Sequence, residues 1–134
     1  MHCNKNCFAE DTGLFIEAIN NEPGVYAARY AGESSNAKNN IEKVLFKMEN
    51  IENRKAFFKT IITLKTNENE WQFEGVCEGT ISKEILGEDG FGYDPIFIPN
   101  GYEISFAQMN ENQKNEISHR KKAFDKFAHF LKTF

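Results

Sequence analysis

Glu10 and Asp11 stand side by side in the sequence AEDTGL and are the first candidates for chemistry. The apolar residues between Leu14 and Ile19 recur at helical spacing, which predicts that a strand ends near the acidic pair and that a helix begins just after it. Carboxylates at such a junction are well placed to hold a divalent metal at the carboxyl end of a sheet. The alternative is that Asp11 or Thr12 only caps the helix.

The sequence GFGYDP predicts contact with a planar ligand. Gly90 and Gly92 permit backbone angles closed to other residues, so the chain can bend tightly and present Phe91 at a narrow tip. The ring could stack on a base, and Asp94 could accept hydrogen bonds from ring nitrogens or an amine. Pro95 predicts extended backbone at Asp94, followed by a buried strand. The alternative is a tight turn with Phe91 folded inward, whereas a phosphate-binding loop is excluded because no helix follows.

Basic residues are expected at the start of a helix near the carboxyl terminus. Ser118 as the N-cap would put His119 and Arg120 in the first helical turn, with Lys114 nearby in sequence. Cations at that position oppose the helix dipole, but an arriving anion would reverse the penalty. The pattern therefore favours an anion site, and the alternative is a solvated basic turn.

The remaining patterns predict the elements that position these residues. Ser34 or Ser35 is expected to cap a helix whose apolar stripe lies within Ile41–Met48. Ala56–Thr66 and Trp71–Ser82 alternate apolar and polar residues and predict an antiparallel hairpin that serves as scaffold. A C-terminal helix is expected to bury a face made of Phe124, Phe127, Ala128 and Leu131.

The composition is that of an ordinary folded domain. The chain has 134 residues, 40% hydrophobic and 27% charged, and we expect a single domain over residues 1–134. A net charge of -4 argues against a nucleic-acid backbone or an anionic membrane as partner. No apolar run is long enough to cross a bilayer. Three cysteines without metal-ligand spacing favour a reducing cytoplasm over a disulfide framework.

The motifs AEDTGL, PGVYAARYAG, GFGYDPIF and KNEISHR together resemble the inosine triphosphate pyrophosphatase, or Ham1-like, family in family order, over Phe8 to Leu131. The resemblance implies hydrolysis of ITP, dITP and XTP to the monophosphate and pyrophosphate, which cleans the nucleotide pool. It also implies Mg²⁺ as cofactor and a homodimer. The family's discrimination would come from hydrogen bonds to the 6-oxo group, which the 6-amino group of adenine cannot satisfy.

The resemblance also assigns roles to individual residues. Asp11 matches the catalytic base and metal ligand, and Glu10 stands as a second metal ligand where many members have aspartate. The implied substrate-binding residues are Thr12, Phe91, Gly92, Tyr93, Asp94, Lys114, His119 and Arg120.

One departure from the family pattern affects both fold and activity. Members begin with a strand and a Thr-x-x-Asn-x-x-Lys loop that holds phosphates, and this sequence has no such segment. We expect an α/β fold with a mixed central β-sheet flanked by helices, two-lobed, with the N-terminal strand-loop-helix missing and a sheet edge left unpaired. The alternative function is a catalytically weak or inactive nucleotide-binding fragment, or a folded remnant without activity.

Overall fold

The computed structural model describes residues 7–32, 36–88 and 92–133. Its sheet has the strand order β2-β1-β3-β4-β5, with β1 Cys7–Ile16, β2 Glu22–Gly24, β3 Lys55–Lys65, β4 Glu70–Ile81 and β5 Phe97–Pro99. The three α-helices are α1 Ala37–Lys47, α2 Glu111–Ile117 and α3 His119–Thr133. Short 3-10 turns cover Glu17–Ile19, Ala27–Arg29, Asp94–Ile96 and Phe106–Gln108.

The predicted hairpin is confirmed. Strands β3 and β4 pair antiparallel from Lys55 opposite Thr80 to Lys65 opposite Glu70. Every second residue of β3 is buried, as expected for a strand with one face on a core. The α/β class is confirmed as well, although all four strand pairings in the described part of the chain are antiparallel where a mixed sheet was expected.

The helix predicted just after the acidic pair is wrong. Strand β1 continues through both carboxylates to Ile16 and pairs with β3 along its whole length. Leu14 and Ile16 are fully buried while Phe15 between them is only partly so, which is the period of a strand. The same apolar residues also satisfy helical spacing, and pairing with β3 decides between the two.

Two local predictions near the loops need correction. Asp94 does not have the extended backbone expected before Pro95, because it begins the 3-10 turn Asp94–Ile96, in which the Ile96 amide donates to the Tyr93 carbonyl. Helix α1 is capped by Asn36, whose side chain accepts from the Asn39 amide. The predicted caps Ser34 and Ser35 lie outside the described residues.

Two apolar clusters hold the elements together. The larger one joins α1 with β1, β3 and the turns, and it includes Leu14, Ile16, Val44, Met48, Phe58, Ile96, Phe97 and Phe106. The smaller one lies under α3 and contains Ile62, Leu64, Ala123 and Phe127. Within the described ranges, no helix is long and apolar enough to cross a membrane.

Candidate functional site

A cavity of about 540 Å³ opens beside the larger cluster, which contributes Leu14, Ala27, Phe58 and Tyr93 to its lining. Strands β1 and β3 form its floor, the turn at Ala27 and the segment after Gly92 form one wall, and α2 with the start of α3 forms the other. The lining residues are Thr12, Gly13, Leu14, Ala27, Phe58, Gly92, Tyr93, Asp94, Lys114, Ser118, His119 and Arg120.

Most of the predicted site residues meet at this cavity although they come from four separate parts of the chain. The predicted residues that line it are Thr12, Gly92, Tyr93, Asp94, Lys114, His119 and Arg120. Glu10 and Asp11 are not among the lining residues. Phe91 lies outside the described residues, so its predicted stacking on a base stays a prediction.

A pair of threonines fixes the floor. Thr12 of β1 lies directly opposite Thr60 of β3, and their hydroxyl oxygens are 2.8 Å apart. Thr60 has no exposed surface, so its hydroxyl is satisfied within the protein. Sequence reasoning missed Thr60. The available signal was a polar residue at a buried position in the alternation of β3.

A buried ion pair joins the two walls. The Lys114 ammonium donates to Asp94 Oδ2 at 2.5 Å, and the Asp94 side chain is only 5% exposed. Lys114 comes from α2, whose first turn is fixed by a reciprocal cap between Asn110 and Gln113. Because a buried carboxylate needs a cation or several donors, this pair holds α2 against the segment after Gly92. Asp94 thus accepts a hydrogen bond from an amine of the protein itself, and its predicted contact with a ligand stays a prediction.

His119 presents a neutral ring to the cavity. It is buried and stacks on Phe58, with the ring centres 4.6 Å apart and the planes 16° from parallel. Burial lowers its pKa to about 4, and the positive charges of Lys114, Lys122 and Arg120 act in the same direction. Its Nδ1 is buried without a hydrogen-bond partner in the part of the chain that the structure describes. A buried ring nitrogen beside a cavity is suited to bind a polar ligand atom.

The predicted cap of α3 is confirmed. The helix begins at His119, and the Lys121 amide donates to Ser118 Oγ at 3.3 Å. His119 and Arg120 therefore occupy the first turn, as expected. The N-terminus of this helix lies at the cavity, where its backbone amides favour a negative charge.

The two carboxylates predicted to share a metal are not brought together. Glu10 accepts two hydrogen bonds from the Arg120 guanidinium, at 2.6 and 3.2 Å. Asp11 is exposed, and the alternation of a strand puts it on the face of β1 opposite to Glu10 and Thr12. The described residues contain no group of three or more His, Cys, Asp or Glu side chains that could hold a metal ion.

Tyr93 joins the two segments that form one wall of the cavity, and its hydroxyl is used in that contact. The hydroxyl donates to the Ala27 carbonyl at 2.6 Å, and the residue is only 4% exposed. Burial raises the pKa of Tyr93 above its usual range, so it remains protonated and able to donate. Its predicted role in substrate binding is therefore indirect in this geometry.

Comparison with known sequences places the chain among pyrophosphatases. A profile described as "Ham1 family" matches residues 1–130. The dITP/XTP pyrophosphatase of Christiangramia forsetii is 48% identical over 97% of this chain and 68% of its own length. The dITP/XTP pyrophosphatase of Porphyromonas gingivalis is 50% identical over 93% of this chain and 65% of its own. The chain therefore spans about two thirds of the length of these relatives.

Solved structures give the same assignment. The Staphylococcus aureus Ham1 protein matches with a TM-score of 0.93 and 41% identity, over 97% of this chain and 68% of that one. A HAM1 protein from Coxiella burnetii matches with a TM-score of 0.92 and 36% identity, over the same shares of the two chains.

Proposed function

Because the chain belongs to the Ham1 family, we propose that it hydrolyses ITP, dITP and XTP to the monophosphate and pyrophosphate. The observation that carries the proposal is the buried Nδ1 of His119, which lacks a partner among the described residues and lies at a cavity flanked by Lys114 and Arg120. A neutral ring nitrogen beside two cations suits a ligand with a polar base at one end and phosphates at the other.

The base would lie over the apolar floor at His119. The stacked pair of Phe58 and His119 offers an aromatic surface at the cavity. In the neutral tautomer with the proton on Nδ1, His119 donates a hydrogen bond, which an oxo group at purine C6 accepts and an amino group there does not. A base that leaves a buried donor unpaired is disfavoured by about 1–3 kcal/mol. This difference supports selection of hypoxanthine and xanthine over adenine.

The phosphates would lie at the start of α3. Arg120 is in the first turn of α3 and mostly exposed, and Lys114 of α2 also lines the cavity. The Thr12 hydroxyl, also at the cavity, adds a neutral donor. The helix amides and these side chains together offer the charge and the hydrogen bonds that a triphosphate requires.

Asp11 is the proposed general base. In the reaction a water oxygen forms a bond to the α-phosphorus, its proton passes to the Asp11 carboxylate, and the bond from the α-phosphorus to the bridging oxygen breaks to release pyrophosphate. Asp11 is exposed at the middle of β1, so it can be reached by water. Thr12, its neighbour, lines the cavity, whereas the Asp11 side chain lies on the opposite face of β1, so the role of Asp11 is proposed from the family motif.

Mg²⁺ is the proposed cofactor. This ion takes one or two carboxylates and fills its other positions with water and substrate phosphates, so the exposed Asp11 fits its needs. Glu10 is paired with Arg120 on the opposite face of β1, so it would share the ion with Asp11 only after a change of conformation. When bound, the ion would neutralise the charge that develops on the leaving pyrophosphate.

A homodimer and a cytoplasmic location are proposed from the same family resemblance. Three cysteines without metal-ligand spacing support a reducing compartment. Sedimentation of the purified chain at several concentrations would test the dimer directly, and a single species with the mass of one chain would refute it.

The function is tested by pyrophosphate release from dITP, XTP and dATP, with and without Mg²⁺. We expect release that needs Mg²⁺ and that is much faster from dITP and XTP than from dATP. Equal rates from all three nucleotides would refute the proposed selection of the base. An Asp11→Asn variant that retains the full rate would remove Asp11 from the mechanism.

A second candidate function is nucleotide binding without turnover. The observation that favours it is that the Asp11 side chain lies on the face of β1 opposite to Thr12, which lines the cavity. No release of pyrophosphate, with ITP still raising the Tm, would establish this candidate. If no pyrophosphate is released and ITP does not change the Tm, both functions are excluded.

A further inference from the structure

We propose that Gly75, which does not line the cavity, is a positioning residue that seats His119 and thereby sets the discrimination between purine bases. Gly75 lies in β4 directly opposite Thr60, on the sheet face that α3 covers. The inference about base discrimination rests on the proposed function. The inference about the seat of His119 does not, since it concerns packing alone.

The backbone of α3 touches the sheet at Gly75. A methyl group added there would lie 2.0 Å from the His119 carbonyl oxygen and 2.5 Å from the Ala123 amide nitrogen. Both atoms belong to the helix backbone, so a side-chain rotation cannot relieve the overlap. Any residue larger than glycine must therefore lift the first turn of α3 away from β4.

Two lysines of α3 bind to carbonyls of β4 on either side of this contact. The Lys122 ammonium donates to the Val76 carbonyl at 2.9 Å, and the Lys126 ammonium donates to the Glu74 carbonyl at 2.7 Å. The accepting carbonyls belong to the residues just before and just after Gly75. The helix is thus fixed to β4 at three consecutive residues, and Gly75 at the centre allows the close approach.

The helix residue nearest to Gly75 is His119, which lines the cavity. Because the His119 carbonyl itself makes the contact, a displacement there moves the His119 backbone first. The ring would lose its parallel stack on Phe58 and become exposed to water. A hydrogen bond aimed at one atom of a base depends on this position, and small misplacements of reacting or binding groups reduce rates by about a hundredfold.

Gly79 offers a matched control in the same strand. A methyl group at Gly79 would lie 2.3 Å from the Ile98 carbonyl oxygen and 2.7 Å from the Phe97 ring, so it is nearly as crowded as one at Gly75. The crowding is against β5 and not against α3. A Gly79→Ala variant therefore tests the general cost of crowding β4 without lifting His119.

The seat is tested by the NMR titration of the His119 ring, in a background where His2 and His129 are replaced by glutamine. We expect a titration midpoint near pH 4 in the parent and in Gly79→Ala, since burial lowers the His119 pKa. In Gly75→Ala the midpoint should rise toward about 6.5, the value of an exposed histidine. An unchanged midpoint in folded Gly75→Ala would overturn the proposal.

A second variant covers the case in which Gly75→Ala does not fold. Ala123 is fully buried on α3 above Gly75, so Ala123→Val pushes the same surfaces apart from the helix side. It should raise the His119 midpoint in the same direction. A folded Ala123→Val variant with the parental midpoint would count against the proposal that the contact at Gly75 positions His119.

The discrimination is tested by the ratio of kcat/KM for dITP to that for dATP. We expect the ratio to fall by about tenfold or more in Gly75→Ala and to stay within about twofold in Gly79→Ala. Equal ratios in the two variants would overturn the part of the proposal that concerns base selection. Absence of turnover in the parent would refute the proposed function, while the NMR titration would still decide whether Gly75 seats His119.

Discussion

Two ion pairs at the cavity have similar chemistry and different surroundings. The side chains of the Lys114–Asp94 pair are 21% and 5% exposed, whereas those of the Arg120–Glu10 pair are 61% and 25% exposed. A buried pair is expensive to break because the remaining charge stays away from water. An exposed pair contributes little and exchanges easily for another anion. The first pair therefore has a structural role. In the second pair, a phosphate can replace Glu10 as the partner of Arg120.

The largest effect is expected when the buried pair loses its carboxylate. Asp94→Ala leaves the Lys114 ammonium partly buried without this partner, and we expect the free energy of unfolding to fall by about 3–5 kcal/mol. Urea unfolding measures this loss. The matched control is Asp125→Ala, which breaks the exposed Lys121–Asp125 pair on α3 and should change stability by less than about 0.5 kcal/mol.

A double variant shows whether the cost comes from the stranded charge. Adding Lys114→Met to Asp94→Ala removes both charges, and the pair of changes should be less destabilising than Asp94→Ala alone. Simple additivity of the two single changes would mean that Lys114 and Asp94 do not act as a pair.

The second effect concerns His119, whose neutral ring lines the same cavity. Its pKa of about 4 lies below the ordinary value, so the unfolded chain binds the proton more readily than the folded one. The stability that this difference gives is fully present above about pH 6.5 and is lost as the pH falls toward 4. Over this window the parent should lose about 3 kcal/mol relative to His119→Gln, which carries no titrating ring.

The measurement is urea unfolding of parent and His119→Gln at a series of pH values between 4 and 7. Every other ionisable group is common to the two proteins. The difference between the two proteins therefore reports the His119 ring. Parallel curves would mean that the ring is not buried as neutral imidazole.

The third effect tests the wall that carries Asp94. Tyr93→Phe removes the hydroxyl that donates to the Ala27 carbonyl and leaves that buried acceptor unpaired, at a cost of about 1–3 kcal/mol in stability. We expect KM for dITP to rise while kcat changes less, because the wall is displaced and the proposed base Asp11 is not. Tyr102→Phe, on a partly exposed turn after β5, is the control and should leave both constants unchanged.

The predictability of these features depends on how local they are. The start of α3 was predicted because Ser118 caps the helix within a few residues. The hairpin was predicted because its alternation is regular over both strands. The second half of β1 was mistaken for a helix because Leu14 and its apolar neighbours satisfy both periods, and only pairing with β3 decides.

Features that depend on register between distant segments were not visible in the sequence. Thr60 and Gly75 lie opposite one another across β3 and β4, and their roles arise only when Thr12 and α3 arrive from elsewhere in the chain. Lys114 was identified as a site residue from the family motif, but its pairing with Asp94 needed the fold. Local sequence patterns therefore identify which residues belong to a site. Which of those residues remain available to a ligand depends on the packing of distant segments.

The smallest effect on stability, and the sharpest test of the comparison, is expected from Glu10→Gln. The variant keeps the shape of the side chain and removes the charge that holds the exposed Arg120, so stability should fall by less than about 1 kcal/mol. If Glu10 only occupies Arg120 until a phosphate arrives, its removal should tighten binding of inorganic pyrophosphate severalfold, as measured by calorimetry without Mg²⁺. If Glu10 is needed to aim the guanidinium, binding should weaken instead. Because Mg²⁺ is left out, a proposed role of Glu10 as metal ligand does not enter, and the sign of the change decides between exchange and positioning.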